Sequence, residues 1–435
     1  MGAIALVSPT ARLRAPHPTR LVASLDIGVS KTICLIGQAG ERGEPDQPAA
    51  IDLLGAGVIG SPSAATGAAS DFDACARSIQ YAVEEAERSA GARLETAVAS
   101  YSGPGLCTRR GQARVKVRAG VVSARDVHNA IQASVQAATP ADMRVLHVTC
   151  LGFRIDEGEI VYDARGMDGH RLGAEVSVTL APAVALEALT ACAAQAGVRV
   201  SQIVAGPYAA AMAALDPEDR EESLVIDLGA GSIGLAAFGP NGLEFCATAA
   251  GGGTRLTRAL AGVLDTSFAA AERAKLAYAG ECVGGDPRET VDAPRLGPDG
   301  RLEPARVLKR TIQQSVSDRL RAQFDGVARM LADAGITQAA HVVLVGGGAS
   351  LGCAAQVAQR ALGTPAVLGG VCTVSGLERA MTSAPFATAA GLLRYCAERS
   401  PQVASVSSSE NVWRRHGAVA GSTAVRAWRW LKESF

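Results

Sequence analysis

Two short stretches of the sequence place an aspartate two residues before a glycine at the end of an apolar strand. They read Asp26-Ile27-Gly28 and Asp227-Leu228-Gly229 and lie 201 residues apart. Glycine lets the main chain approach a phosphate closely, and successive N–H groups in a tight turn attract anions. A carboxylate repels a phosphate directly, but it can hold Mg²⁺ or the water around the ion. The two stretches therefore predict a polyphosphate site, with Asp26 and Asp227 facing the metal ion.

Each loop adds small and polar residues to this pattern. In the first loop Ser30 offers a hydroxyl and Lys31 a positive charge, and in the second Gly231 opens the turn before Ser232. The predicted contacts are Asp26, Gly28, Val29, Ser30 and Lys31 in the first loop and Asp227, Gly229, Ala230, Gly231 and Ser232 in the second. Either loop taken alone is more typical of a glycine-rich β-hairpin turn.

A third glycine loop changes that balance. The apolar run Val342-Val343-Leu344-Val345 is followed by Gly346-Gly347-Gly348-Ala349-Ser350. This pattern predicts a buried strand that enters a helix through a junction able to lie flat against a purine. We include Gly346, Gly347, Gly348 and Ser350 in the predicted site, because three matching loops in this order favour nucleotide binding over three unrelated turns.

On these loops the chain resembles the actin, Hsp70 and sugar-kinase superfamily. Further motifs narrow the resemblance to the FtsA family of bacterial cell-division proteins: Ala271-Glu272-Arg273-Ala274-Lys275 with Tyr278, Gly251-Gly252-Gly253-Thr254 before Leu256-Thr257, and Gly166-Met167-Asp168-Gly169 with Arg171-Leu172. The resemblance implies ATP and Mg²⁺ as cofactors. It also implies that Glu272 and Lys275 contact the ribose and adenine, with Gly252 and Gly253 nearby.

The second loop departs from the family pattern D-I-G-G-G-T-T-D. Ala230 replaces a glycine, Ile233 a threonine, and Gly234 stands where the acidic residue would be. The backbone that would hold phosphate is retained, whereas a group that could orient water or metal is lost. We therefore expect Mg²⁺-dependent ATP binding with slow or absent hydrolysis, and the catalytic residues stay unassigned.

The elements around the loops repeat as well. Strand, glycine turn and strand occur at Leu21–Gly37 and again at Ser223–Gly239, which predicts two related α/β lobes. The expected fold is an actin-like (ribonuclease H-like) two-lobe ATPase fold with an inserted small α+β subdomain and a C-terminal amphipathic helix. Its predicted parts are a flexible leader (1–20), a first lobe (21–99 and 180–222), the insert (100–179), a second lobe (223–398, with a smaller part at about 255–335), a linker (399–411) and a tail (412–435).

Helical patterns predict the elements that connect these strands. We expect helices at 71–90, 123–138, 184–197, 267–279 and 304–334, and a strand at 340–345 before the third glycine loop. Ser123 is a good N-cap for the helix of the insert, and Pro140 follows its end.

Composition excludes several other classes. Lysine plus arginine number 42 and aspartate plus glutamate also number 42, so the chain has no basic excess for nucleic acid. The ten cysteines are scattered without a C-x-x-C pair, which is typical of buried free thiols in a reducing cytoplasm. No run of 18 apolar residues occurs, so a membrane-spanning helix is not expected.

The last residues predict a membrane anchor instead. All three tryptophans lie there, and residues 411–435 carry five basic residues against Glu433. On a helical wheel the apolar stripe and the basic side chains separate, as in an interfacial helix. The proposed lipid contacts are Val425, Arg426, Trp428, Arg429, Leu431, Lys432 and Phe435. The alternative is a C-terminal helix packed back on the domain.

The resemblance also implies a function. A protein of this family would tether the C-terminal segment of FtsZ to the cytoplasmic face of the inner membrane at the division site. It would form actin-like filaments and recruit later divisome membrane proteins. A PilM-like pilus-assembly adaptor and a small-molecule kinase of the same superfamily are the alternatives.

Overall fold

The structure is a computed structural model of the chain and describes residues 20–40, 51–61, 72–280, 286–336, 339–371, 374 and 381–398. The predicted leader, apart from Arg20, lies outside the described residues. The linker and the whole membrane tail, with all seven proposed lipid contacts, also lie outside them.

The strands and helices alternate in groups along the described chain. The strands are β1 (Arg20–Ile27), β2 (Lys31–Ala39), β3 (Ile51–Gly60), β4 (Thr96–Tyr101), β5 (Cys107–Lys116), β6 (Met143–Ile155), β7 (Ile160–Val161), β8 (Arg171–Pro182), β9 (Arg199–Ala205), β10 (Ser223–Leu228), β11 (Ser232–Gly239), β12 (Gly242–Ala250), β13 (Thr290–Asp292), β14 (Arg295–Leu296), β15 (Leu302–Glu303), β16 (Arg306–Leu308), β17 (His341–Val345) and β18 (Ala366–Leu368). The helices are α1 (Phe72–Ala90), α2 (Ala124–Ala138), α3 (Ala183–Gln195), α4 (Gly206–Ala214), α5 (Gly253–Leu264), α6 (Phe268–Tyr278), α7 (Lys309–Asp333), α8 (Ala354–Leu362) and α9 (Ala387–Glu398).

Two five-stranded sheets share one topology, which confirms the predicted repeat. The first has the order β3-β2-β1-β4-β9 and the second β12-β11-β10-β17-β18. In each sheet an antiparallel three-stranded meander adds two parallel strands beyond its first strand in sequence. Because the two meanders are equivalent, the β1–β2 and β10–β11 turns occupy the same place in the two halves.

Two helices join the halves at the centre of the molecule. Helix α9 packs on β1 and β2 of the first sheet, and helix α4 packs on β10 and β11 of the second. The helices touch at Gly391, where an added Cβ would lie 1.7 Å from the carbonyl oxygen of Ala209. Only a residue without a side chain allows this approach, so Gly391 fixes the contact between the halves.

The insert forms its own sheet, in the order β5-β8-β6-β7, with α2 packed on one face. Ser123 caps α2 as predicted: its hydroxyl accepts from the Asp126 N–H, and the Asp126 carboxylate accepts from the Ser123 N–H. This reciprocal pair is a capping box, which satisfies two N–H groups that the helix itself leaves without partners.

The long helix of the second lobe begins later than predicted. Residues Arg306–Leu308, expected in its first turn, form β16 instead and pair with Thr290–Asp292 in an antiparallel ladder. The helix begins at Lys309, after Leu308, whose side chain makes no cap hydrogen bond. The predicted start, Pro304, lies in the short connection between β15 and β16.

In the part of the chain that the structure describes, no helix combines the length and the apolar composition needed to cross a bilayer.

Candidate functional site

A cavity of about 620 Å³ lies where the three glycine loops meet. Its wall carries sixteen of the eighteen predicted site residues, namely Asp26, Gly28, Val29, Ser30, Lys31, Asp227, Gly229, Ala230, Gly231, Ser232, Gly253, Glu272, Lys275, Gly346, Gly347 and Gly348. Gly252 and Ser350 do not line it, and Ser350 is exposed. Loops that are far apart in sequence therefore share one cleft.

The two aspartates lie at the ends of β1 and β10, on equivalent positions of the two hairpins. The turns close with Gly28 N–H donating to Lys31 O (2.9 Å) and Gly229 N–H donating to Ser232 O (3.1 Å). An added Cβ on Gly28 would lie 2.9 Å from Lys31 O, and one on Gly229 would lie 3.0 Å from Ser232 O. The backbone fills both turns, so a side chain at Gly28 or Gly229 would clash with the turn itself.

The charges of the two aspartates interact. Burial raises the pKa of Asp227 to about 6, and the nearby Asp26 charge adds to the rise. Burial also raises the pKa of Asp26, although a hydrogen bond from Ser100 (2.6 Å) opposes this. Two interacting carboxylates in a partly buried site favour the arrival of a proton or a cation between them.

Lys31 supplies a positive charge in the same cavity wall. Its Nζ lies 4.3 Å from the centroid of the Phe386 ring, a cation–π contact. Burial lowers the pKa of Lys31, while Asp26 and Asp227 partly offset the shift. The ammonium is therefore positioned by an aromatic face and shares the site with both carboxylates.

Two partners of the aspartates were not among the predicted site residues. Ser100, at the end of β4, donates to Asp26 Oδ1, and Thr388, in the first turn of α9, donates to Asp227 Oδ2 (3.1 Å). Both line the cavity. They lie 74 and 161 residues from their partners, and neither belongs to a local motif. The sequence signal that could have located Ser100 is its place at the end of a strand adjacent to β1.

Gly252 shapes the second loop from behind instead of lining the cavity. It precedes α5 with a φ of +96°, and its missing Cβ would lie 2.5 Å from Ala230 O. The next two N–H groups donate to the loop, Gly253 to Gly229 O (3.0 Å) and Thr254 to Ala230 O (2.9 Å). The N-terminus of α5 therefore holds the carbonyl side of the loop.

Lys275 is committed to protein contacts. Only 5% of its surface is exposed, and its Nζ donates to Thr257 Oγ1 (2.8 Å), Glu272 Oε2 (2.8 Å) and Gly253 O (3.3 Å). Glu272 also accepts a hydrogen bond from the Thr257 hydroxyl. This network ties α6 to the start of α5, so Lys275 positions the glycine loop while Glu272 reaches the cavity edge.

The third loop combines a crowded glycine with an open one. Gly346 has a φ of +84°, and a Cβ there would lie 2.2 Å from Asp227 Oδ1. A Cβ on Gly347 would meet nothing within 4 Å. A 3₁₀ turn at Gly347–Ser350 then separates the strand from α8. The loop thus presents bare backbone to the cavity at Gly347, as a flat ligand surface requires.

These residues fit a magnesium–nucleotide complex. In the described chain no three or more Asp, Glu, His or Cys side chains are grouped to hold a metal on their own. Mg²⁺ commonly binds through one or two carboxylates together with phosphate oxygens and water. Asp26 and Asp227 would supply those carboxylates if the metal bound here, and the two glycine turns would supply N–H groups to phosphates.

The sequence matches models and members of a known protein family. A profile described as "Cell division protein FtsA" matches residues 224–391, and one described as "SHS2 domain inserted in FTSA" matches residues 106–180. The curated protein "Cell division protein FtsA" of Agrobacterium fabrum is 29% identical over 428 residues, which cover 96% of this chain and 95% of that protein. The chain belongs to the FtsA family.

Other FtsA proteins align over similar lengths. Cell division protein FtsA of Pseudomonas aeruginosa is 27% identical over 96% of this chain and 98% of its own length. That of Escherichia coli (strain K12) is 25% identical over 96% of this chain and 98% of its own length. Membership of the FtsA family assigns the chain a role in cell division.

A solved structure of another protein shows the same fold. A chain from the "PilM-PilN type IV pilus biogenesis complex" matches with a TM-score of 0.59 and 18% identity, covering 87% of this chain and 99% of that chain. The fold is actin-like with an inserted subdomain, as the sequence predicted. At this identity the likeness concerns the fold alone.

Gly234 shows how this FtsA chain accommodates its missing acidic residue. It pairs with Asp227 across β10 and β11, and an added Cβ would lie 2.5 Å from Pro207 Cγ. Pro207 stands in the first turn of α4 and fills the space that a side chain at position 234 would need. A side chain at position 234 would therefore collide with Pro207.

Proposed function

We propose that the chain binds Mg²⁺–ATP between its two lobes. The observation that carries the proposal is the convergence of three glycine loops and two interacting carboxylates on one cavity. Phosphates would accept from the turn N–H groups beside Gly28 and Gly229, with Lys31 as a counter-charge. Asp26 and Asp227 would hold the metal through its oxygen or water ligands. The purine would lie against the open backbone at Gly347.

We also propose that turnover is slow or absent. Hydrolysis needs a group that orients or deprotonates the attacking water. Gly234 provides none, and Pro207 occupies the adjoining space. The protein would then use the nucleotide as a structural ligand that links the lobes.

Equilibrium titration with a fluorescent ATP analogue tests binding, and a phosphate-release assay tests turnover. We expect Mg²⁺-dependent binding by the full chain and phosphate release far below that of an efficient kinase. Asp227→Asn should lose most of the Mg²⁺ dependence. Asp163→Asn is the control, because that carboxylate forms an exposed ion pair with Arg165 in the insert. Equal binding with Mg²⁺ and with a chelator would refute the metal assignment.

We propose further that residues 412–435 anchor the protein to anionic lipid. Burial of Val425, Trp428, Leu431 and Phe435 would contribute roughly 6–12 kcal/mol at about 1.5–3 kcal/mol each. Basic residues near anionic lipid add about 1 kcal/mol each. Ordering the helix costs about 1 kcal/mol or more per residue, which offsets most of this gain. A single tail is therefore marginal, and several tails on one filament would bind with high effective concentration.

The marginal binding of a single tail favours an adaptor that polymerises at the membrane. Self-association into actin-like filaments would multiply the tails, and the body would present FtsZ and later divisome membrane proteins to the cytoplasmic face of the inner membrane. The chain would thus tether the FtsZ C-terminal segment at the division site.

Vesicle sedimentation separates the anchor from the rest of the proposal. The full chain should pellet with anionic vesicles, and a chain truncated after Ser400 should stay in the supernatant. Trp428→Ser should weaken pelleting, whereas Ser422→Ala, at the start of the predicted helix, should not. Equal pelleting of the truncated and full chains would overturn the anchor.

A fluorescent fusion of the full chain tests the adaptor role. It should form a ring at midcell, and a diffuse signal would contradict that role.

A further inference from the structure

A pair of cysteines lies in the wall of the cavity, on the first-lobe side. Cys75 is in the first turn of α1 and is half-buried, and Cys192 is buried near the end of α3. Both line the cavity, and both belong to the apolar cluster under the first sheet. They are 117 residues apart in sequence and close together only in the fold.

Contacts on either side fix the two helices at this point. Cys192 Sγ lies 3.8 Å from Phe72 O, at the first residue of α1. One turn further along α3, Gln195 Nε2 donates to Asp73 Oδ1 (3.0 Å). Cys75 lies three residues after Phe72 and two after Asp73, in the same turn of α1, so these contacts bring its side chain to that of Cys192, with which it interacts. Two thiols brought together on helices held in register are placed to form a bond.

We propose that Cys75 and Cys192 form a reversible disulfide when the protein meets a peroxide. In the first step the Cys75 sulfur attacks one peroxide oxygen, the O–O bond breaks, and Cys75 becomes a sulfenic acid as water leaves. In the second step the Cys192 sulfur attacks the Cys75 sulfur, the S–O bond breaks, and a second water leaves with the Cys192 proton. Two thiols and one hydrogen peroxide thus give one disulfide and two waters.

The surroundings of the two thiols set this order. Cys75 is the more accessible thiol, and attack on peroxide requires access to solvent. The hydrogen bond with Cys75 and burial both raise the pKa of Cys192, so Cys192 stays a thiol until a sulfenic acid forms beside it. Cys75 is therefore the attacking residue and Cys192 the resolving one.

The bond would join α1 to α3 along one wall of the cleft. Any effect of the bond on nucleotide affinity rests on the proposed function, whereas the bond itself does not. Mass spectrometry detects the disulfide itself, so its absence is distinct from a failure of nucleotide binding.

The experiment treats the full chain with hydrogen peroxide, quenches it, denatures it, and alkylates the remaining thiols with N-ethylmaleimide. Intact mass should show two fewer alkyl groups than in the reduced protein, and peptide mapping should find Cys75 linked to Cys192. Dithiothreitol should restore both alkylation sites. Cys75→Ser should abolish the loss, and Cys192→Ala should lose at most one alkylation site, as a Cys75 sulfenic acid, with no linked peptide; circular dichroism checks the folding of both.

Cys107→Ser is the matched control, because Cys107 is also half-buried but lies beside Arg109, away from the cavity wall. This variant should form the Cys75–Cys192 disulfide as the parent does. The proposal is overturned if both cysteines remain alkylated after peroxide treatment. A linkage to another cysteine, or an undiminished loss in Cys75→Ser, overturns it equally.

Discussion

At the scale of single residues, Asp227 determines how the cleft responds to pH. Its pKa is about 6 in the fold and near 3.8 when the chain is unfolded. The folded state therefore holds the proton more tightly, and this contribution to stability is complete below about pH 4. It is lost as the pH rises through 6, because the ionised carboxylate then faces Asp26 in a partly buried site.

Asp227→Asn should remove the loss of stability that the raised Asp227 pKa causes as the pH rises. Without nucleotide, we expect the free energy of unfolding at pH 7 to rise by about 1–3 kcal/mol, since an amide carries no charge to desolvate. Urea unfolding measured from pH 4 to pH 8 checks the effect, and the variant should show a flatter profile between pH 4 and 6. Asp163→Asn, in the exposed pair with Arg165, should keep the parent's slope there. A parent profile already flat in this range would contradict the raised pKa.

The third glycine loop offers a comparison between neighbours. Gly346→Ala should destabilise the protein by about 1–3 kcal/mol, because its Cβ would collide with Asp227 Oδ1 and its backbone is left-handed. Gly347→Ala should change stability by only about 0.5 kcal/mol, since its Cβ enters open space. Thermal unfolding measures both.

Gly347→Ala should nevertheless weaken binding of the fluorescent ATP analogue about tenfold, equivalent to about 1.4 kcal/mol, because its added methyl group would lie where the purine is proposed to bind. Unchanged affinity would place the purine elsewhere.

At the scale of elements, α9 links the cleft to the chain end that leads to the predicted anchor. Its first turn supplies Thr388 to Asp227, and Phe386 just before it covers Lys31. Near its other end the buried Arg394 donates to Met212 O (2.6 Å) and Leu215 O (3.3 Å) at the end of α4. Basic side chains commonly satisfy the free carbonyls at a helix C-terminus in this way. The helix therefore touches the cleft, the first sheet and α4 together.

The insert helix offers the cleanest element-scale prediction. Ser123→Ala removes the hydroxyl that accepts from the Asp126 N–H, one of the two hydrogen bonds of the capping box, and should cost about 1 kcal/mol of stability. The loss should be local, so hydrogen exchange should accelerate in the first turn of α2 while the amides of β10 stay protected. Arg125→Ala, an exposed change in the same turn, should leave exchange within about 0.5 kcal/mol of the parent. Uniform acceleration across the chain would show that the insert does not open by itself.

Local pattern predicted most of the elements but not the contacts between them. The helices at 71–90, 123–138, 184–197 and 267–279 are found within two residues of the expected ends, because caps and apolar spacing are local signals. The start of α7 was missed because β16 pairs with a strand fourteen residues or more away. Ser100 and Thr388 were missed for the same reason: their roles depend on which strand or helix the fold brings beside each aspartate.

At the scale of the whole molecule, the cleft exists because two halves repeat one topology. Each half contributes a hairpin turn and one carboxylate, and the turn and carboxylate of one half alone do not form the cleft. The contact of α4 with α9 at Gly391 brings the sets together. The repeat could be read from the sequence, since the two Asp-x-Gly turns match. The closeness of the two helices could not, because it depends on the packing of Gly391 against Ala209.

A ligand that contacts both halves should therefore stabilise them as one unit. Saturating Mg²⁺–ATP at about one hundred times its dissociation constant should add about 2.7 kcal/mol to the free energy of unfolding. Scanning calorimetry should show a higher midpoint with Mg²⁺–ATP, and a chelator should reverse most of the rise. In an Asp26→Asn, Asp227→Asn double variant the chelator should have little further effect, because the metal ligands are gone while the glycine turns remain. If the chelator lowers the midpoint equally in parent and double variant, the two aspartates do not hold the metal.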